Sequence, residues 1–244
     1  MHPSLYDLYF QLEDIHWWFL GMRKIRLAML RGLLPDRPRT LELACGPGGF
    51  LRDLQNAGHD VCGCDFSPKA LAYCRRRGLE RLVGADINSL PFGDALFDFV
   101  ACNDAISHKS VNSDLGVLRE MHRVCKPGGV ILLTDVACPS MFGRHDEIFD
   151  GAKRYRLSEL RDKTRAAGFQ IIRANYANSL LFPIVFLVKK WKNASKSAPA
   201  VDIAPTGRVA NSLLKSVLFL EASLIRRVRF PFGVEIMITA RKPG

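Results

Sequence analysis

Thr40-Leu-Glu-Leu-Ala-Cys-Gly-Pro-Gly-Gly-Phe-Leu51 is an apolar strand that runs into a glycine turn and out into a helical pattern. Glycine has no Cβ, so the backbone of such a turn can come close to a ligand. Nineteen residues after Gly46, Asp65 closes a second strand, Asp60-Val-Cys-Gly-Cys-Asp65. A carboxylate at that strand end can accept from both hydroxyls of a ribose. Twenty-one residues further, Asp86 follows a third strand in Val83-Gly-Ala-Asp-Ile87. It can meet the exocyclic amine of an adenine while Ile87 packs on the ring, and Phe66, next to Asp65, joins them as a cofactor contact. A dinucleotide site wants G-x-G-x-x-G with free N–H groups around a pyrophosphate. Counted from Gly46 the sixth position is Leu51, counted from Ala44 the first glycine is missing, and Pro47 has no N–H to donate. These points disfavour NAD and FAD. They suit an adenosine cofactor without phosphate.

Outward from this segment, short apolar strands alternate with helical stretches. Strands are expected at 40–45, 60–65, 82–85, 97–103, 130–136, 170–176 and 234–240, and helices near 49–57, 67–77, 114–125 and 157–167. Such alternation predicts an α/β fold, a mostly parallel sheet with helices on both faces and ligands beyond the strand ends. Before it, residues 1–38 read as a helical arm in two pieces. The apolar positions there are Leu5, Leu8, Tyr9 and Leu12, then Trp18, Phe19, Met22, Ile25 and Met29. The expected organisation is arm 1–38, core 39–178, a helical cap 179–230 and a final strand in 231–244. In the cap, apolar helices at 180–191 and 211–228 flank an Ala/Ser/Pro-rich linker at 193–207.

The chain resembles the class I S-adenosylmethionine-dependent methyltransferases of the small, seven-stranded, Rossmann-like kind. The resemblance covers about residues 39–178. It rests on Leu41-Glu-Leu-Ala-Cys-Gly-Pro-Gly48, Asp65, Ala85-Asp86, Leu90-Pro-Phe-Gly-Asp-Ala-Leu-Phe-Asp98 and Leu118-Arg-Glu-Met-His-Arg-Val-Cys-Lys-Pro-Gly-Gly129. It implies a seven-stranded sheet whose last strand is antiparallel, with S-adenosylmethionine as cofactor and S-adenosylhomocysteine as product. Glu42 and the turn of Ala44, Gly46 and Gly48 would hold the methionyl part and ribose. Asp65 would bind the ribose, Asp86 and Ile87 the adenine, and Asn103 would lie near the reacting methyl. Ala44 departs from the family, which usually has its first glycine there. The flanks resemble a bacterial subgroup with an aromatic opening segment, His16-Trp-Trp-Phe19, and a late Arg154-Tyr155.

Methyl transfer to oxygen needs a base near neutral pKa, most often histidine. His108 follows the fourth strand and His145 the fifth, so both are candidate catalytic residues. Tyr155 and Trp18 are candidate substrate contacts. His16 is expected to pack or line a lid. No metal site is expected, since Cys62 and Cys64 share one face of a strand without a second ligand pair. Cys102 lacks the flanking proline of a cytosine-C5 methyltransferase, and Asn103-Asp-Ala-Ile106 is not the Asn/Asp-Pro-Pro-aromatic motif of many amine methyltransferases.

The 244 residues carry seven scattered cysteines and no recognisable leader after Met1-His2-Pro3, which suggests reduced thiols and a cytoplasmic location. No apolar run approaches the ~20 residues of a spanning helix. The net charge of +11 is uneven: residues 184–244 hold eleven Lys/Arg against Asp202, Glu221 and Glu235. That quarter could face a phosphate, a nucleic acid or an anionic membrane surface. The expected partner is a small-molecule acceptor, apolar or lipid-linked, in secondary or cell-envelope metabolism, met by a monomer or homodimer. An RNA acceptor is disfavoured because no separate RNA-binding module is visible. A third reading is a non-methylating protein on the same fold.

Overall fold

β1 (Arg39–Leu43) is buried beyond its first residue because Thr40, Leu41, Glu42 and Leu43 alternate between two covered faces of a sheet. The structure is a computed structural model and describes residues 3–195 and 203–244. β2 (Asp60–Asp65) and β4 (Phe97–Asn103) flank β1 in parallel. β3 (Leu82–Gly84) pairs with β2, and β5 (Cys125–Val136) with β4, also in parallel. β7 (Glu235–Arg241) runs antiparallel between β5 and β6 (Gln170–Ala177). The order is β3-β2-β1-β4-β5-β7-β6. It reverses direction between β1 and β4, and the crevice at such a switch point, beyond the carboxyl ends, is where open α/β sheets bind ligands.

Side-chain alternation divides the core. Leu41, Leu43, Val100, Cys102, Ile131 and Leu133 pack under α5 (Asp114–Val124) and α7 (Leu157–Ala166). Phe99, Ala101, Leu132 and Met237 pack on the other face under α2 (Trp17–Leu30) and α3 (Gly49–Asn56). Each fully buried leucine contributes about 1.5–3 kcal/mol relative to exposure.

The arm breaks in two as expected. α1 (Pro3–Leu12) ends before His16, whose Nδ1 accepts from the Trp18 N–H at 3.3 Å and so caps α2. α1 is pinned to α4 (Pro68–Arg76): Phe10 stacks on Tyr73 at 4.3 Å, and Lys69 donates to Asp7 at 2.7 Å.

The expected cap is corrected by the structure. α9 (Arg208–Leu224) does not roof the strand ends. It lies along α2 on the sheet face, with Leu218 and Ala222 in the core layer. Gly21 permits this approach, since a Cβ there would stand 2.3 Å from Leu218 Cδ1. Only α8 (Phe182–Ala194) borders the strand-end side. Asn193 Nδ2 donates to the Phe142 carbonyl at 3.2 Å, and Lys189 Nζ lies 3.6 Å from Asp146 of α6 (Arg144–Ile148). The linker expected at 193–207 falls partly outside the described residues.

Candidate functional site

The glycine turn is held in an uncommon backbone. Ala44 (φ +48°), Gly46 (φ +54°) and Gly48 (φ +85°) all lie in the left-handed region. Ala44 tolerates this at a cost of about 1–2 kcal/mol. Gly48 is also sterically required: a Cβ would meet Leu79 Cδ1 at 2.7 Å and Cys74 Sγ at 2.8 Å. Gly48→Ala should therefore lower stability by about 2 kcal/mol, combining strain and overpacking. Urea titration measures it, and a wild-type midpoint would refute the reading.

Asp65 ties this turn to β2. Its Oδ2 accepts from Gly46 N–H at 2.9 Å and its Oδ1 from Ser67 N–H at 2.8 Å. Each carboxylate oxygen keeps a further lone pair for a ligand hydroxyl. Burial raises the Asp65 carboxyl above its ordinary range, against the pull of those two N–H groups. Phe66, next in the chain, is 82% exposed, so its ring is open to a ligand. Tyr6 of α1 reaches in from the arm. Its hydroxyl is pushed up to about 12, first by burial and then by the Asp65 charge. Sequence reasoning missed Tyr6.

In the turn after β3 Asp86 is exposed and Ile87 buried. Asp86 Oδ1 accepts from Asn88 N at 2.9 Å and Asn88 Nδ2 at 2.7 Å. Asn88 in turn donates to Ser110 O at 2.9 Å and accepts from Asn112 N at 2.9 Å. The loop after β4 is thereby tied to the turn that bears Asp86.

His108 belongs to that loop. Its Nδ1 accepts from Ser110 N–H at 3.1 Å and faces Ser110 Oγ at 2.8 Å. An accepting Nδ1 assigns the proton of the neutral ring to Nε2, 3.8 Å from Asp150 Oδ2. Burial lowers the pKa of the ring. His108 is thus a neutral wall beside the Asp86 turn, and its accepting nitrogen is already engaged. His145 stands elsewhere, on α6. Its ring is 4.6 Å from Phe149, which lies 5.5 Å from Tyr9, itself 5.0 Å from Phe19. These rings form an aromatic rim.

Two expected substrate contacts are corrected. Tyr155 is fully buried in the core, and its hydroxyl donates to Asp114 Oδ2 at 3.1 Å. The bridge between Ala137 and Tyr155, with a 3.4 Å bond from its hydroxyl to the Ile106 carbonyl, seats it just beyond the ends of β5 and β4. Trp18, on α2, is half-buried and packs on the core layer that α9 also covers, edge-on to Trp17 at 5.9 Å. Tyr155 thus sits at the strand ends but is enclosed by the core, closed to an acceptor.

What converges there instead is a set of carboxyls. Glu42 ends β1, Asp104 follows β4, Asp135 lies late in β5 and Glu235 opens β7. Arg26 of α2 enters among them, 2.5 Å from Asp104 Oδ2 and 3.4 Å from Glu235 Oε2. Asn103 Nδ2 donates to Glu42 Oε1 at 2.9 Å, while Glu42 Oε2 is buried with no partner. Burial pushes Glu42 up to about 8 and Asp135 up to about 7, the latter aided by Asp104. It raises Glu235 well above its usual value, with Asp104 adding to the rise and Arg26 opposing it. Asp104, Asp135, Glu235 and Arg26 were not legible as a group, because a pairing between an arm and three strand ends leaves no local pattern.

Asp104 and Glu235 face Arg26, and the four carboxyls, where ionised, favour a cation over an anion at these strand ends. An unpartnered carboxylate oxygen suits an ammonium, a sulfonium is favoured by the same field, and Asp65 with the glycines of the turn suits a ribose. The residues present fit S-adenosylmethionine.

The profile of a family described as a methyltransferase domain matches residues 41–133. The chain is 36% identical over 115 residues to the malonyl-[acyl-carrier protein] O-methyltransferase of Enterobacter lignolyticus, 46% of this chain and 45% of that one. It is 31% identical over 165 residues to an uncharacterised methyltransferase of Synechocystis sp., 64% of this chain and 78% of that one. The structure of Haemonchus contortus phosphoethanolamine N-methyltransferase 2 in complex with S-adenosyl-L-methionine shares the fold, with TM-score 0.58, 21% identity, 90% of this chain and 52% of that one. The chain spans about half the length of the first curated relatives it matches. With that strand order, that glycine turn and a relative matched over most of its length, the chain belongs to the class I S-adenosylmethionine-dependent methyltransferases.

Proposed function

We propose that the chain moves a methyl group from S-adenosylmethionine to an oxygen or carbon of a small, largely apolar acceptor by in-line displacement, with S-adenosylhomocysteine as product. The observation that carries this reading is the buried, unpartnered Oε2 of Glu42 at the sheet's switch point. A malonyl-[acyl-carrier protein] O-methyltransferase and a demethylmenaquinone methyltransferase are among the curated relatives, which supports a small-molecule acceptor.

When bound, S-adenosylmethionine supplies an electrophilic methyl on a cationic sulfur. Asp65 would accept from the ribose hydroxyls, and Asp86, Ile87 and Phe66 would hold the adenine. Glu42 would accept from the ammonium, and Asn103 would line the methyl's approach. The carboxyl cluster favours the cation before transfer, and that charge disappears on transfer. Its field therefore strengthens binding more than it lowers the barrier. The acceleration would come from holding the acceptor in line and excluding water, roughly 7–11 kcal/mol in the best intramolecular cases. Tyr9, Phe19 and Phe149 give the rim that apolar character, and His145 stands on it as the candidate base.

Calorimetry with S-adenosylmethionine, then detection of S-adenosylhomocysteine release over a panel of apolar phenols, quinones and acids, tests the proposal. His145→Ala should lower turnover on a hydroxyl acceptor by about 10²-fold, the lower end for general-base catalysis, with cofactor affinity intact. His108→Ala should instead raise the cofactor Kd and leave kcat near wild type. If the two variants exchange these effects, His108 is the base. Absence of cofactor binding at millimolar concentration ends the proposal.

A further inference from the structure

α8 is built inside out. Ile184, Leu187, Val188 and Trp191 recur at the i, i+3, i+4, i+7 spacing of one helix face. That face points to solvent, with exposures of 62%, 68%, 46% and 63%. The opposite side carries Lys189, 6% exposed, on Asp146. Asp146 is itself buried and paired with Arg154 Nη2 at 2.7 Å. The inward lysine and the Asn193 bond to Phe142 fix the helix in this rotation, so the apolar side is held outward. α9 repeats the pattern on its outer side with Val209, Leu213 and Leu220, exposed by 75%, 64% and 56%.

Charge accompanies the apolar faces. Of the three acids in residues 184–244, Glu221 and Glu235 are buried and Asp202 lies outside the described residues. Lys190, Arg208, Arg226, Arg227 and Arg229 are exposed. Among the described residues, the side-chain charge this segment shows to solvent is positive.

We infer that the outer faces of α8 and α9 are a peripheral docking surface for a bilayer of anionic phospholipid. Such a surface answers both features: apolar side chains enter the interface, Trp191 sits at its polar boundary, and the cations meet the headgroups. A second copy of this chain would bring like charges together, and interface cores are depleted in lysine. A nucleic acid would leave Ile184, Leu187 and Val188 in water. No helix among the described residues is long and apolar enough to cross a membrane, so the contact would be superficial. α8 also borders the segment 142–146 that carries His145. Docking would place this segment directly behind α8, next to a bilayer that can supply an apolar acceptor. That last step rests on the proposed function; the docking itself does not.

The test is sedimentation of the full chain with extruded vesicles, of phosphatidylcholine alone or with phosphatidylglycerol, without cofactor. The expected result is pelleting with the anionic vesicles only, weakened by salt, together with a blue shift of tryptophan emission that Trp191→Phe abolishes. Leu187→Glu/Trp191→Glu should lower partitioning at least tenfold at unchanged melting temperature. Lys190→Glu/Arg227→Glu, which leaves the apolar faces intact, should do the same and keeps the test open if the first variant misfolds. Equal pelleting of wild type and both variants, or no pelleting at low salt, overturns the inference. So does a dimer in light scattering that Leu187→Glu/Trp191→Glu dissolves while vesicle binding is absent. Vesicle binding by a chain with no methyl transfer would sink the proposed function and leave the docking surface standing.

Discussion

Replacing Arg26 with methionine should cost the fold about 3 kcal/mol near pH 8, the low end for breaking a buried ion pair, because Asp104 is partly solvated. Most of that loss should vanish near pH 5. Arg26 faces Asp104 and Glu235, and its charge also holds the Glu42 carboxyl down. Glu42, at about 8, and Glu235, higher than its usual value, are raised chiefly by burial. A carboxyl raised on folding contributes stability that is complete below its unfolded pKa, about 4, and is lost as pH rises through its folded pKa. Removing the cation raises both folded values further. The folded variant then binds more protons at neutral pH than the wild type, so its stability falls more steeply with pH. At pH 5 these carboxyls are largely protonated in both proteins and need no cation. Urea denaturation of the two proteins at pH 5 and pH 8 measures the difference. A destabilisation equal at both pH values, or below about 1 kcal/mol at pH 8, where ordinary substitutions lie, would show that Arg26 does not neutralise the cluster.

The sheet was readable where strand ends carry their own punctuation. β2 and β4 begin and stop at the residues expected, because each closes on a polar group, Asp65 and Asn103, after a run of small and apolar residues. β5 begins five residues earlier than expected. Lys126-Pro-Gly-Gly129 has turn composition, yet Cys125 still pairs with Phe97 across an irregular register. α6 was missed because five residues are too few to show a helical period. The cap was misread for a different reason. α9 is apolar on its outer as well as its inner side, so periodicity alone does not say which side meets the core. Tyr155 was misplaced because Arg154-Tyr155 follows the polar run Arg144-His-Asp-Glu147 that reads as surface, whereas a long-range bridge to Ala137 buries it. The residues expected to hold the cofactor lie at successive strand ends, so the sequence alone could nominate them. The carboxyl cluster is assembled from the arm, β1, β4, β5 and β7, and became visible only with the fold.

Asp65→Ala should weaken S-adenosylmethionine binding roughly 100-fold, since two charge-assisted hydrogen bonds of about 1.5 kcal/mol each would be lost. Asp65→Asn should fall between the variant and the wild type, because an amide oxygen still accepts while the charge is gone. The substitution has a second effect that must be separated from the first. Gly46 N–H and Ser67 N–H both donate to Asp65 in the structure, so alanine leaves two backbone donors without their acceptor. Melting temperature without cofactor reports that cost, and calorimetric Kd reports the binding. Acidification gives an independent reading. The carboxyl's pKa is raised by burial, and in the proposed role the charged form would accept from the ribose. Wild-type affinity should therefore begin to fall at a pH above the ordinary carboxylate range, and this inflection should be missing in Asp65→Asn. Gly46→Ala offers a control for the turn, because no atom within 4 Å would meet its Cβ but its φ of +54° is strained for alanine. That variant should lower stability with little change in the pH profile of binding. An unchanged Kd in Asp65→Ala, with the fold intact, would move the ribose away from this strand end and with it the assignment of Glu42 to the ammonium.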